Sequence, residues 1–121
     1  MTKNLFFFGI FLFFGFSIYA QSSKVAFVEN SEIIKSNLSE NLIRFKIPSI
    51  TQKEIDKYSQ YYTNTFTVNL FADDEITLKL KENDPNKNRV VLRFLSALNV
   101  QQIKVSEKEF SLSDFYEAFL K

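Results

Sequence analysis

The stretch "RFKIPSITQKEIDKYSQYY", from Arg44 to Tyr62, predicts a strand that leads through a short loop into a helix. Phe45 and Ile47 alternate with basic residues, as in a strand that is buried on one face only. Thr51 and Glu54 have the spacing of a capping box, so a helix is expected to begin at the next residue. None of the roles that we assign to this stretch is catalytic, and it is interpreted as a structural connection between strand and helix.

The chain after this unit continues with a hairpin and a second helix. Residues 66–80 alternate apolar and polar side chains on both sides of a turn at Ala72–Asp74, where Asp takes the positions that Gly usually occupies. Asp84 followed by Pro85 is typical of a helix start. Asn99, which tolerates left-handed backbone, is a plausible stop for that helix.

A fourth strand is predicted around Ile103–Val105, and a short fifth one at Phe110–Leu112. Ser111 and Asp114 form a second capping pattern, which leads into a C-terminal amphipathic helix. From residue 41 the order is βαββαβ and then a helix. That order predicts an α+β, ferredoxin-like fold: a four-stranded antiparallel sheet with two helices on one face, plus the C-terminal helix.

With this order of elements, residues Asn41 to about Ser106 resemble the heavy-metal-associated domains of copper and zinc carriers. Those domains carry a Cys-x-x-Cys motif in the loop after the first strand. The corresponding loop here reads PSITQ, at residues 48–52, and contains no cysteine. The resemblance therefore implies the fold alone, and we expect no metal site and no cofactor.

The N-terminus has the pattern of a secretory signal peptide over residues 1–20. Lys3 precedes the apolar run "LFFFGIFLFFGFSIYA", which ends in the small residue Ala20. The alternative is a retained membrane anchor, but an apolar core of roughly 15 residues is shorter than the ~20 that a spanning helix needs. In ending its signal in Ala-Gln, the chain is similar to small exported bacterial proteins of unknown role, a resemblance that implies a periplasmic or extracellular location.

Residues 21–40 are rich in Ser, Asn and Glu, and we interpret them as a loosely structured leader in which Val25–Val28 is a candidate short strand. Residues 41–121 form the single predicted domain. The chain after residue 20 contains no Gly, Cys, His, Met or Trp. This composition excludes a histidine base, a thiolate nucleophile, the usual structural zinc site and a glycine-rich phosphate loop.

The net charge does not point to a class of partner, because the chain after residue 20, which lacks Lys3, has 14 basic and 14 acidic residues. The alternation of the strands nevertheless places five cations on the sheet face that the helices leave open, namely Arg44, Lys46, Lys79, Lys81 and Lys104. Polar residues share this face (Thr65, Thr67, Asn69, Thr77 and Gln102), and Glu75 is the one acid expected within its strands. Such a face could attract an anionic glycan, a lipid headgroup or an acidic protein segment.

Two alternatives to a binding face stay open: these residues form an ordinary solvated sheet surface, or the leader or the C-terminal helix covers them. Nucleic acid is not expected as a partner, because Phe71 is the only aromatic residue predicted on this face. The sequence thus favours a small exported, non-enzymatic binding or accessory module. A second hypothesis is a self-associating envelope component that pairs through a strand edge or the C-terminal helix, and a carboxylate-based enzyme is a distant third.

Overall fold

The computed structural model describes residues 23–121, so the predicted signal peptide lies outside the described residues. Within these described residues, ten helices and strands follow one another: β1 Lys24–Val28, α1 Ser31–Leu38, β2 Leu42–Lys46, α2 Gln52–Ser59, β3 Phe66–Phe71, β4 Glu75–Leu80, α3 Pro85–Ala97, β5 Val100–Val105, β6 Lys108–Ser111 and α4 Leu112–Phe115. Short 3₁₀ turns at Gln60–Tyr62 and Ala72–Asp74 flank β3, and a π-helical turn, Tyr116–Leu120, continues α4.

All six strands belong to one mixed sheet in the order β3-β4-β2-β1-β5-β6. The pair β1–β5 is parallel, and the other neighbouring pairs are antiparallel. The α+β class is confirmed, but the expected four-stranded antiparallel sheet is wrong. Strand β1 lies between β2 and β5, which a ferredoxin-like sheet would place side by side, and β6 extends the sheet beyond β5.

The segment expected to be a loose leader contains both β1 and α1. Ala26 and Val28 are buried in β1, so this strand contributes to the core from the middle of the sheet. The Asn30 side chain caps α1 by accepting a hydrogen bond from the Ile33 N–H at 2.9 Å. Because β1 pairs with strands on both sides, residues 24–38 are part of the domain and not a leader to it.

A single core lies between the sheet and the helices. Phe66 of β3 packs edge-on against Phe94 of α3, with ring centroids 5.3 Å apart. Phe45 of β2 contacts Phe115 of α4 at 5.8 Å, on the same face of the sheet. Helices α3 and α4 therefore both pack on the core face of the sheet. The opposite face carries the predicted cations, and neither of these two helices covers it.

The turns form without glycine, since the described part of the chain contains none. In this part of the chain, residues 23–121, six residues adopt positive φ, and all are Asn, Ser or Asp: Asn41, Ser49, Asp73, Asp74, Asn99 and Ser106. The predicted roles of Asp in the β3–β4 turn and of Asn99 after α3 are confirmed. The capping box of Thr51 with Glu54 is confirmed as well.

Candidate binding face

The register of the sheet determines where the five predicted cations lie. Arg44 and Lys46 belong to β2, and their cross-strand neighbours in β4 are Thr77 and Glu75. Lys79 lies two residue positions farther along β4, and Lys81 directly follows that strand. Lys104 of β5 lies across β1 from Lys46. All five thus share the sheet face opposite the core, which we call the open face.

One complete row of the open face crosses all six strands. Each residue in it is the direct cross-strand partner of the next: Phe71, Glu75, Lys46, Phe27, Lys104 and Glu109. Facing residues in neighbouring strands point to the same side of a sheet, so these six side chains form a continuous line. Phe27 lies in the middle of the sheet with a lysine on each side.

Phe27 was not predicted as part of any site, because its strand was assigned to the leader. Its side chain is 38% exposed, although β1 is an interior strand. The sequence of Lys24–Val28 has no apolar–polar alternation that marks Phe27 as outward-facing, and only the structure shows it between buried Ala26 and Val28. An aromatic ring that stays exposed at the centre of a sheet is available for contact with a ligand.

The charges of this row are more balanced than the sequence predicted. Glu109 was not expected there, because the last strand was predicted to begin at Phe110, whereas β6 starts at Lys108. Lys46 and Lys104 each therefore have a glutamate as the next residue outward. Within residues 23–121, the ion pairs closer than 4.0 Å are Lys24–Glu54, Lys87–Glu82 and Lys121–Glu117. The ammonium groups of Lys46 and Lys104 consequently remain available.

The remaining cations are spread across the open face. Arg44 lies in the next row beside Thr77 and Asn69, and Lys79 lies one row farther, beside Thr67. With strands ~4.8 Å apart and rows ~6.7 Å apart, the Cα atoms of Lys46 and Lys104 are separated by roughly 10 Å, whereas Lys81 lies about 25 Å from Lys104. The structure brings Lys46, Lys104 and Arg44 near Phe27 and leaves Lys79 and Lys81 at a distance.

Two surface depressions adjoin Phe27. The first, with a volume of about 370 Å³, lies where β1 and β2 diverge, since these strands pair only at Phe27 and Lys46. Its lining comprises Phe27, Val28, Glu29, Ile33, Arg44, Phe45, Lys46 and Glu75. The second, of about 380 Å³, is lined by Ser23, Lys24, Val25, Phe27, Pro48 and Ser49. Phe27 thus forms a ridge between two hollows, one of which contains two basic side chains of the open face.

Other kinds of site have little support in the described residues. Across residues 23–121, no three His, Cys, Asp or Glu side chains lie close enough together to hold a metal ion. The same residues include no helix with the length and apolar character needed to cross a membrane. Comparison with known protein families, curated proteins and solved structures gives no match for this chain. The open face around Phe27 is the candidate site because an exposed aromatic ring lies there between two lysines.

Proposed function

We propose that this protein is an exported, non-enzymatic binding module whose open face binds an acidic polysaccharide. The observation that carries the proposal is the exposed ring of Phe27 between Lys46 and Lys104 at the centre of the sheet. Export is inferred from the signal-peptide pattern of residues 1–20. A ligand outside the cytoplasmic membrane would fit both the predicted export and the exposed ring between two lysines.

The chemistry of the row suits a ligand whose sugar rings carry negative charge. The apolar face of a sugar can pack on the Phe27 ring, while a carboxylate or sulfate on either side meets the ammonium group of Lys46 or Lys104. Glu75 and Glu109 lie one strand farther out, so the positive potential is greatest near the ring. This arrangement favours a ligand in which anionic groups alternate with apolar ring faces.

The rest of the open face suits hydroxyl groups. Thr67, Asn69 and Gln102 are exposed there, and their side chains can both donate and accept hydrogen bonds. A face on which open hollows flank an exposed ring also fits an extended polymer better than a small molecule. These features favour an acidic polysaccharide over a lipid headgroup or an acidic protein segment, the other two anionic classes expected from the sequence.

The test compares two charge reversals of equal size in the exported protein. Lys46→Glu with Lys104→Glu changes the open face, and Lys35→Glu with Lys53→Glu changes two exposed lysines on α1 and α2. Each exposed charge pair contributes up to ~1 kcal/mol, and reversal adds repulsion. Two reversals are therefore expected to weaken binding to polygalacturonate about tenfold or more, with little effect from the control pair.

A second variant tests the ring. Phe27→Ser keeps both lysines and is expected to weaken polygalacturonate binding at a salt concentration that screens the charges. The proposal is contradicted if wild type does not bind polygalacturonate, or if both charge-reversal pairs reduce binding equally. It is also contradicted if phosphatidylglycerol vesicles bind more tightly than the polysaccharide.

A further inference from the structure

The edge strand β3 lies in an unusually uncharged part of the chain. Residues 58–72 include no Asp, Glu, Lys or Arg, although these types make up 24% of the whole sequence. Strand β3 pairs with β4 through six consecutive residue pairs, from Phe66–Leu80 to Phe71–Glu75, without a bulge. On its other side, no strand among residues 23–121 is paired with it. β3 therefore presents a regular, neutral edge.

Exposed apolar side chains occur in β3 and in the turn that precedes it. Tyr61 is 72% exposed and Phe71 is 54% exposed. In the part of the chain that the structure describes, these are two of the three large apolar side chains that are exposed, and Phe27 is the third. Val68 and Leu70 of β3 itself are only partly buried, at the margin of the core. A partner placed against β3 would complete the burial of this margin.

The opposite edge of the sheet is built differently. β6 has only four residues and carries both Lys108 and Glu109. The Lys108 ammonium group lies 5.2 Å from the centroid of the Phe110 ring, which also packs against Phe119 of the C-terminal turn. Short length and charged side chains are the usual protections of a strand edge against pairing with another chain. β6 has these protections, and β3 lacks them.

We propose that β3 pairs antiparallel with β3 of a second copy of this chain, which gives a two-fold symmetric dimer with a continuous sheet. A strand with charges of one sign would repel its own copy when paired antiparallel, and β3 has no charge to create that repulsion. Isologous pairing of one edge with itself also closes the assembly at two copies, because the protected β6 edges stay at the outside.

The sequence of β3 favours one register. With Val68 opposite Val68 of the second copy, Phe66 faces Leu70 and Thr67 faces Asn69 across the interface. Apolar side chains then meet on the core face, and polar side chains meet on the open face. A shift that centres the axis on Asn69 would give only the apolar pairs of Val68 with Leu70 and would lose those of Phe66 with Leu70. The pairing of like with like favours the axis at Val68.

The oligomeric state of the exported protein tests the dimer. Sedimentation equilibrium is expected to give a monomer–dimer equilibrium for wild type. Thr67→Lys with Asn69→Lys would place lysines opposite each other twice, which is expected to raise the dimer dissociation constant about tenfold or more. Glu109→Lys, which changes the net charge by the same amount at the other edge, is expected to leave that constant unchanged. A monomer at all concentrations, or an equal effect from Glu109→Lys, would overturn the proposal.

The register can be tested by cysteine crosslinking, since the natural chain has no cysteine. Directly opposed residues of an antiparallel pair have Cα atoms about 4.5–5.5 Å apart, within the range that a disulfide spans. On mild oxidation, Val68→Cys is expected to give a covalent dimer, and Glu109→Cys is expected to stay monomeric. A crosslink with Asn69→Cys but not with Val68→Cys would overturn the proposed register, and a crosslink to a different protein would overturn self-association.

Discussion

The position of β1 in the middle of the sheet makes Ala26 a sensitive point for the stability of the whole domain. Ala26 is 0% exposed and lies opposite buried Ile103 of β5. Replacing it by aspartate puts a carboxylate into the core. If residues 21–40 were a loose leader, the same substitution would change little, because its side chain would remain in water.

The expected magnitude follows from this burial. A buried charge without a partner costs about 3–5 kcal/mol, and the larger side chain adds the cost of overpacking. A domain of this size is stable by about 5–15 kcal/mol, so Ala26→Asp should remove a large part of the free energy of unfolding or all of it. The same substitution at exposed Ala118, in the C-terminal turn, should cost at most about 1 kcal/mol.

Urea denaturation of the protein measures both variants, and far-UV circular dichroism is used to follow it because the chain contains no tryptophan. If Ala26→Asp does not fold, Val28→Ala provides a milder test, because removing two buried methyl groups should cost about 2 kcal/mol and leave a measurable transition. Equal, small effects for Ala26→Asp and Ala118→Asp, together with no effect for Val28→Ala, would refute the placement of β1 in the core.

Three further predictions concern stability. Ser49 has a φ of 67° and makes no side-chain hydrogen bond within the described residues, so Ser49→Gly is expected to raise the free energy of unfolding by about 0.5–1 kcal/mol in the same urea assay. The amide of buried Asn88 donates to the carbonyl oxygen of Leu120 at 3.1 Å, and Asn88→Ala should lower that free energy by about 1–3 kcal/mol; a neutral result would contradict the role of Asn88 in holding the C-terminus. Burial alone would raise the pKa of Glu54, but its hydrogen bonds, above all the one from Lys24, outweigh burial and lower the pKa from its usual 4.5. The stability that ionised Glu54 contributes is therefore present above pH 4.5 and is lost as the pH falls through its lower folded-state pKa. The difference in stability between wild type and Lys24→Met should accordingly shrink at acid pH. A constant difference would contradict this pairing.

Local rules of sequence determine much of this fold. The helix starts after Thr51 and Asp84 were predictable because each depends on a side chain that bonds a backbone N–H two or three residues away. The shared face of Arg44 and Lys46 was predictable for a similar reason, since strand alternation has a period of two and needs no knowledge of the partner strand. Such signals lie within a few residues and can be seen in a single sequence.

The role of β1 could not be found in this way. Its five residues pair with β5, so that Ala26 lies beside Ile103, a residue far along the chain. No local pattern encodes that pairing, and a short strand that is followed directly by a Ser- and Asn-rich helix has a composition typical of a loop. Because β1 was not placed, the centre of the open face was not placed either, and Phe27 was missed.

The geometry of the sheet links polysaccharide binding at the open face to the β3–β3 dimer, but experiments can distinguish the two. In the β3–β3 dimer facing residues share one side of the sheet, so both open faces point in the same direction. Two Phe27 rings would lie roughly 39 Å apart, about 34 Å across the sheet at ~4.8 Å per strand and about 20 Å along the strands. A long polysaccharide that reaches both would gain from avidity, whereas a short oligosaccharide bound at one Phe27 would not. Dilution below the dimer dissociation constant should therefore weaken polymer binding more than oligosaccharide binding. Loss of Lys46 and Lys104 should weaken both, because the contact itself is removed.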